Sequence, residues 1–258
     1  MPVTTARYIG PLAGVLAGLF CFGAAAQNVP AGVTWDWQLQ APLDLSVAVD
    51  ILALDPDEVS AADIAALSSR GVTTVCYVSV GTWEDWRADA GNFPQVLLGR
   101  AYDGWPGERF LDIRAPELLP LMRARVQHCA EMGFDAVEPD NIDLHINDTG
   151  FGIVAADVLT YFTALSDMAH DLGLRIAQKN AGDLTERLAP LADFAMAENC
   201  LTDGWCADLS VYPNTGRAIL AAEYAQPSAA VCAVAAELGL SLIFKRHALT
   251  RWRQICPD

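Results

Sequence analysis

The chain alternates short apolar runs with longer stretches in which apolar residues recur at helical spacing. The apolar runs predict strands at Thr34–Gln38, Val47–Leu54, Thr73–Val80, Asp135–Pro139, Arg175–Lys179, Phe194–Glu198, Ala218–Tyr224 and Ser241–Lys245. Most are near-continuously apolar, as in strands covered on both faces of a parallel sheet. Helices are predicted between them, at Ser60–Arg70, Pro116–Met132, Val154–Leu172 and Ala229–Leu238. A glycine stands between helix and strand at Gly71, Gly133, Gly173 and Gly239, where a left-handed cap turns the chain back toward the sheet. Eight strands in this rhythm predict a single-domain α/β protein, a (β/α)8 TIM barrel. A doubly wound open sheet is the alternative, and it lacks support because no Gly-rich phosphate loop follows the first strand. One connection is long: Gly81 to Ala115, rich in Trp, Gly and Asp, is expected to be an active-site loop.

The N-terminus departs from this rhythm. Arg7 precedes an apolar run from Ile9 to Phe22, and Ala24-Ala25-Ala26 follows. That order predicts a signal peptide over residues 1–26 and a (β/α)8 domain over 27–258, secreted or periplasmic. The alternative is an N-terminal membrane anchor, although the run is shorter than the ~20 residues that span a bilayer. The formal net charge of −16 becomes −17 without Arg7, 15 basic against 32 acidic residues. Such a surface excludes a generic nucleic-acid binder and favours a neutral or cationic partner. With the leader removed, no membrane association is expected, and the protein is read as a monomer. Six cysteines remain, and their expected pairs are Cys76 with Cys129, Cys200 with Cys206 and Cys232 with Cys256. No CxxC pair occurs and the four histidines lack ligand spacing, so neither a metal nor a cofactor is expected.

Polar residues gather where the predicted strands end, which is where barrels of this kind carry their chemistry. Asp36 lies in the first strand, Asp55 ends the second and Ser79 the third. Glu138-Pro139-Asp140-Asn141 ends the fourth, Lys179-Asn180 the fifth, Glu198-Asn199 the sixth, Glu223-Tyr224 the seventh and Lys245-Arg246 the eighth. Two carboxyl groups across a bond, one protonated and one ionised, are the chemistry of glycosidic cleavage. Asp140 and Glu198 are the leading candidates, with Glu138 as an alternative. Many aromatic residues, Trp37, Tyr77, Trp83, Trp86, Tyr102, Trp105 and Tyr224 among them, fall near strand ends or in the long connection. Their faces suit the C–H faces of sugars and the ammonium of an amino sugar.

Several segments together resemble glycoside hydrolase family 114, the endo-α-1,4-polygalactosaminidase group. They are Trp35-Asp36-Trp37-Gln38-Leu39, the run Val75–Glu84, the run Gly104–Arg114, Gly133–Asn141, Gln178-Lys179-Asn180 and Ala197-Glu198-Asn199-Cys200. The resemblance covers about Trp35 to Tyr224. It implies a (β/α)8 barrel that hydrolyses α-1,4-linked galactosamine polymers, such as those of a microbial biofilm matrix. It implies Asp140 as nucleophile and Glu198 as acid/base, a division the residues alone leave open. It further implies that Asp36, Tyr77, Trp105, Glu138, Asn141, Lys179 and Tyr224 bind the sugar. Asp36 and Asn199 depart from the family pattern. A polyamine substrate agrees with the −17 charge. Two other readings stand beside it: a hydrolase of another α-galactoside or acetylated amino-sugar polymer, and a non-catalytic carbohydrate-binding barrel.

Overall fold

The computed structural model describes residues 1–2 and 28–257; the expected signal peptide lies outside the described residues. The strands are β1 (Trp35–Gln38), β2 (Ile51–Leu54), β3 (Thr73–Ser79), β4 (Thr82–Glu84), β5 (Leu98–Ala101) and β6 (Glu108–Leu111). After them come β7 (Ala136–Asp140), β8 (Arg175–Lys179), β9 (Phe194–Glu198), β10 (Ile219–Glu223), β11 (Leu240–Phe244) and β12 (Gln254–Ile255). The helices are α1 (Ala61–Ser69), α2 (Leu118–Met132), α3 (Ala155–Asp171), α4 (Thr185–Leu188), α5 (Val211–Asn214) and α6 (Ala229–Glu237). Among the described residues, no helix is long and apolar enough to cross a membrane.

The parallel ladder runs β1-β2-β3-β7-β8-β9-β10-β11, and β12 adds an antiparallel edge to β11. Its two ends are joined by side chains. The Trp35 indole donates to the Ser241 carbonyl at 2.7 Å, and the Lys245 ammonium meets Asp36 at 2.8 Å. The protein is a (β/α)8 barrel. Two apolar clusters follow from the two-residue period of the strands. Trp35, Trp37, Ala53, Val75, Ala136, Ala177, Met196 and Ala222 fill the barrel interior. Leu52, Cys76, Val78, Val137, Ile176, Ala197 and Ala221 face the helices.

All four predicted glycine caps have positive φ, from 70° at Gly239 to 91° at Gly133. At the start of α1, Ser60 and Asp63 close a capping box: the Ser60 hydroxyl accepts from the Asp63 amide at 3.3 Å, and the Asp63 carboxylate accepts from the Ser60 amide at 2.9 Å. The expected disulfides Cys76–Cys129, Cys200–Cys206 and Cys232–Cys256 are all present. The first ties β3 to the helix that covers it.

Two expectations change. The second strand is Ile51–Leu54 rather than Val47–Leu54. Asp50, just before it, is held instead by Thr34, whose amide and hydroxyl donate to its carboxylate at 2.8 and 2.7 Å. The long connection is not simply a loop: it folds as an antiparallel sheet in the order β4-β6-β5. These strands are three or four residues long and carry polar residues such as Glu84, Arg100 and Glu108, so no apolar run betrays them.

Candidate active site

Strand period decides which strand-end residues meet. Val75, Ala136, Ala177, Met196 and Ala222 point into the barrel. Counting on by two along each strand therefore turns Tyr77, Glu138 and Asp140, Lys179, Glu198 and Tyr224 toward the interior at its C-terminal mouth. A cleft of about 690 Å³ opens there. Asp140, Glu198, Tyr77, Trp105, Asn141 and Tyr224 all line it.

The carboxylates are held from several directions. Lys179 donates to Asp140 Oδ1 at 2.7 Å and lies 2.9 Å from Glu198 Oε1. Asp140 Oδ2 accepts from the Tyr77 hydroxyl at 3.0 Å and from Asn141 Nδ2 at 3.2 Å. Glu198 Oε2 accepts from the Tyr224 hydroxyl, and the Tyr224 ring stacks on His247 with centroids 4.0 Å apart. Burial raises the phenol of Tyr77, and Asp140 beside it adds to the effect. Burial and Glu198 do the same to Tyr224, so both tyrosines stay protonated and able to donate.

Three asparagines build the turns out of β7, β8 and β9. Asn141, Asn180 and Asn199 all have positive φ, at 62°, 48° and 51°. Asparagine tolerates that region better than other residues with a Cβ. Their side chains also brace the neighbouring strand ends. Asn180 Oδ1 accepts from the Glu198 amide at 3.0 Å, and Asn199 Oδ1 accepts from the Tyr224 amide at 3.2 Å. Replacing Asn180 by Ala is expected to cost about 1–2 kcal/mol, from lost acceptor and backbone strain together. Asn180→Gly relieves the strain but not the lost bond, so thermal melts of the two variants separate the contributions. If both variants melt with the parent, the brace is not acting. Glycine itself is required at Gly81, where a Cβ would lie 1.7 Å from the Asn141 carbonyl oxygen.

Three residues expected to bind sugar do not line the cleft. Glu138 is fully buried beneath it, paired with Lys179 at 2.8 Å, and Lys179 is itself 1 % exposed. Asp36 is a correction of a different kind. It alternates with the inward-facing Trp35 and Trp37, so it points away from the interior and pairs with Lys245. The cleft wall at β1 is Trp37 instead. Glu223 also faces outward, where it accepts from the Leu201 amide at 2.8 Å and the Thr202 hydroxyl at 2.6 Å.

Further residues of the cleft, unmarked in the sequence, come mainly from the β4–β6 excursion and the loop after β7. Glu84, Arg87, Glu108 and Asp143 line the cleft with Asp55, Asp57 and Glu58. Arg87 is occupied by Asp55 at 2.8 Å, Glu84 at 2.7 Å and Asp57 at 2.9 Å, so the wall as a whole is acidic. Burial pushes the Glu108 carboxyl up to about 7. Burial and then the Asp140 charge push Asp143 up to about 6. Polar residues within an aromatic-rich connection were the available signal for this wall.

No curated protein matches the chain in sequence. The profile of Glycoside-hydrolase family GH114 matches residues 20–258. Among solved structures, Aspergillus fumigatus Ega3 in complex with galactosamine superposes with a TM-score of 0.84 at 29% identity, covering 89% of this chain and 97% of that one. The glycoside hydrolase domain of PelA from Pseudomonas aeruginosa superposes with a TM-score of 0.68 at 18% identity, covering 89% and 100%. The chain belongs to glycoside hydrolase family GH114 and is a glycosidase.

Proposed function

We propose that this protein is an exported hydrolase of α-1,4-linked galactosamine polymers, with Asp140 as nucleophile and Glu198 as acid/base. The observation that carries the reading is the Lys179 bridge. At 2.7 and 2.9 Å from one nitrogen, the nearest oxygens of Asp140 and Glu198 are at most about 5.6 Å apart. Retaining glycosidases place their carboxyl groups at ~5–5.5 Å, whereas inverting ones need ~6.5–9.5 Å to seat a water. Attack by Asp140 on the anomeric carbon forms a glycosyl ester while Glu198 protonates the leaving oxygen. Glu198 then takes a proton from water, which opens the ester with net retention.

The hydrogen bonds support this division. Asp140 has an ammonium, an amide N–H and a phenol directed at it, which together fix its carboxylate in place for attack. Glu198 has one cation and the Tyr224 hydroxyl, which can turn from donor to acceptor when the carboxyl takes up a proton.

An acidic cleft suits a polyamine chain, and Ega3, 29% identical, binds galactosamine. Exposed Trp86 and Trp105 on the rim offer faces for further sugars of a polymer. Three disulfides support residence in an oxidising compartment, in keeping with a leader over residues 1–26.

Hydrolysis of defined α-1,4-galactosamine oligomers, followed by NMR, tests the proposal. The α-anomer is expected first, and the free amine is expected to be preferred over its acetylated or neutral counterpart by about 10- to 100-fold in kcat/KM, the worth of one charge-assisted contact. Release of the β-anomer first overturns retention. Equal cleavage of neutral α-galactosides favours the second reading, a different α-galactosidase, and binding without new reducing ends favours a carbohydrate-binding barrel.

A further inference from the structure

Lys179 has three N–H bonds and three carboxylates within reach. It donates to Glu138 Oε1 at 2.8 Å and Asp140 Oδ1 at 2.7 Å, and lies 2.9 Å from Glu198 Oε1. The Trp37 ring covers another side, with its centroid 4.6 Å from Nζ. This ammonium has no free direction in which to meet a sugar. Glu138 sits deeper still. Lys179 is its hydrogen-bond partner, and Oε2 is buried with none among the described residues. A buried carboxyl with one idle oxygen is a costly arrangement. Apolar residues of similar volume usually match or exceed a buried ion pair in stability, so stability alone gives no reason for a pair here.

We propose that Glu138 and Lys179 are positioning residues: Glu138 anchors the Lys179 ammonium, and Lys179 fixes the spacing and shares its charge between Asp140 and Glu198. The inference rests on the assignment of those two carboxylates above. The groups facing Lys179 come from three strands: Glu138 and Asp140 on β7, Glu198 on β9 and the Trp37 ring on β1. Tyr77 and Tyr224 reach the same carboxylates from β3 and β10, and Asp143 contributes a further negative charge nearby. Burial opposes the charge on Lys179, but Asp140, Glu138 and Glu198 together outweigh it and keep the ammonium protonated far above its ordinary range. Lys179 is thus a permanent cation rather than a proton donor. Burial in turn pushes the Glu138 carboxyl up against the pull of Lys179. Glu138 thus holds the ammonium from beneath the cleft and leaves its other N–H bonds to the two carboxylates above.

The test is the paired replacement Glu138→Leu with Lys179→Met, which removes the buried pair together and strands no charge beneath the cleft, while Asp140 and Glu198 keep their tyrosine donors at its mouth. It is expected to melt close to the parent yet lose about 100-fold in kcat, as when one preorganised donor is deleted, with KM changed less than threefold. The acidic limb of its kcat/KM profile is expected to move up, since a neighbouring cation favours ionised carboxylates. Glu138→Gln keeps an acceptor for Lys179 and is expected to stay within about tenfold of the parent in kcat, with the limb unmoved. A paired variant with parental kcat and profile overturns the proposal, as does a rise in KM alone. Should the paired variant not fold, Lys179→Gln is read by the same limb: moved supports the proposal, unmoved overturns it. If Asp140→Asn hydrolyses at the parental rate, the underlying assignment fails. A parental profile from the paired variant beside an inactive Asp140→Asn removes only the positioning role.

Discussion

Asp140→Asn is expected to lower kcat by about 10⁴- to 10⁶-fold, the loss typical of a deleted nucleophile, while leaving the protein at least as stable as its parent. Asparagine has nearly the same shape and keeps an acceptor for Lys179 or Tyr77 but cannot form a glycosyl ester. Stability should hold because the parent site crowds three carboxylates around one ammonium. Removing one negative charge relieves repulsion and still leaves Lys179 two partners, Glu138 and Glu198. Thermal melts and hydrolysis rates on the same samples check both halves. A variant that is inactive only because it has unfolded, or one that keeps more than about 1 % of parental kcat, sinks the assignment. Glu198→Ala should lose about 10²- to 10⁴-fold, because an acid/base contributes that much. Added azide separates the two roles by the configuration of its product. On the Glu198 variant it should intercept the glycosyl ester and give the α-azide. An Asp140→Ala variant leaves room for azide to attack directly and give the β-azide. Reversed products would exchange the roles of the two residues.

Much of this site can be read along the chain because barrel strands put their C-terminal ends in one place. The pairs Asp140-Asn141, Lys179-Asn180 and Glu198-Asn199 each follow an apolar run, and each run becomes a strand whose last inward residue is Asp140, Lys179 or Glu198. The asparagine after it is legible as a left-handed exit. What the sequence leaves hidden has two physical sources. One is the period within a strand: polarity marks a strand end but not the face on which a residue falls. Asp36 and Glu223 thus resemble site residues in sequence, although register turns both away from the cleft. Counting from Trp37 or Tyr224 would have found the difference, because each is their inward-facing neighbour. The second source is distance along the chain. The acidic wall formed by Glu84 and Glu108 depends on β4 pairing with β6 across more than twenty intervening residues, in register Glu84 opposite Glu108. Strands of three or four residues with mixed polarity leave no local pattern for that pairing. Depth also separates residues that sequence groups together. Glu138 and Asp140 are two apart on one strand, yet the first is buried under the site and the second lies at its surface.

Asp36→Asn is expected to destabilise the protein by about 3–5 kcal/mol and to leave KM unchanged. For a domain of this size that is a fall in melting temperature on the order of 10 °C. The Asp36–Lys245 pair has almost no solvent exposure on either side chain and lies where the first and last parallel strands meet. Asp36 also accepts from the Trp37 amide and from Gln38 Nε2, each at 2.8 Å, while Lys245 has one further acceptor, the Thr250 carbonyl at 2.8 Å. Neutralising the carboxylate leaves the ammonium buried with that carbonyl and an amide for company. Burial already pulls Lys245 below the ordinary lysine range in spite of Asp36, so the loss falls on a cation with little solvation in reserve. Replacing both residues, Asp36→Leu with Lys245→Met, should recover most of the stability, because no charge is then left unpaired. A rise in KM for Asp36→Asn without a change in melting temperature would return Asp36 to the sugar site. The expected result has a consequence for catalysis as well. Strand β1 carries Trp37, which lines the cleft and covers Lys179, so a loosened seam should lower kcat only as temperature approaches the melt. Activity measured well below that temperature should match the parent, which separates closure of the barrel from the chemistry performed at its mouth.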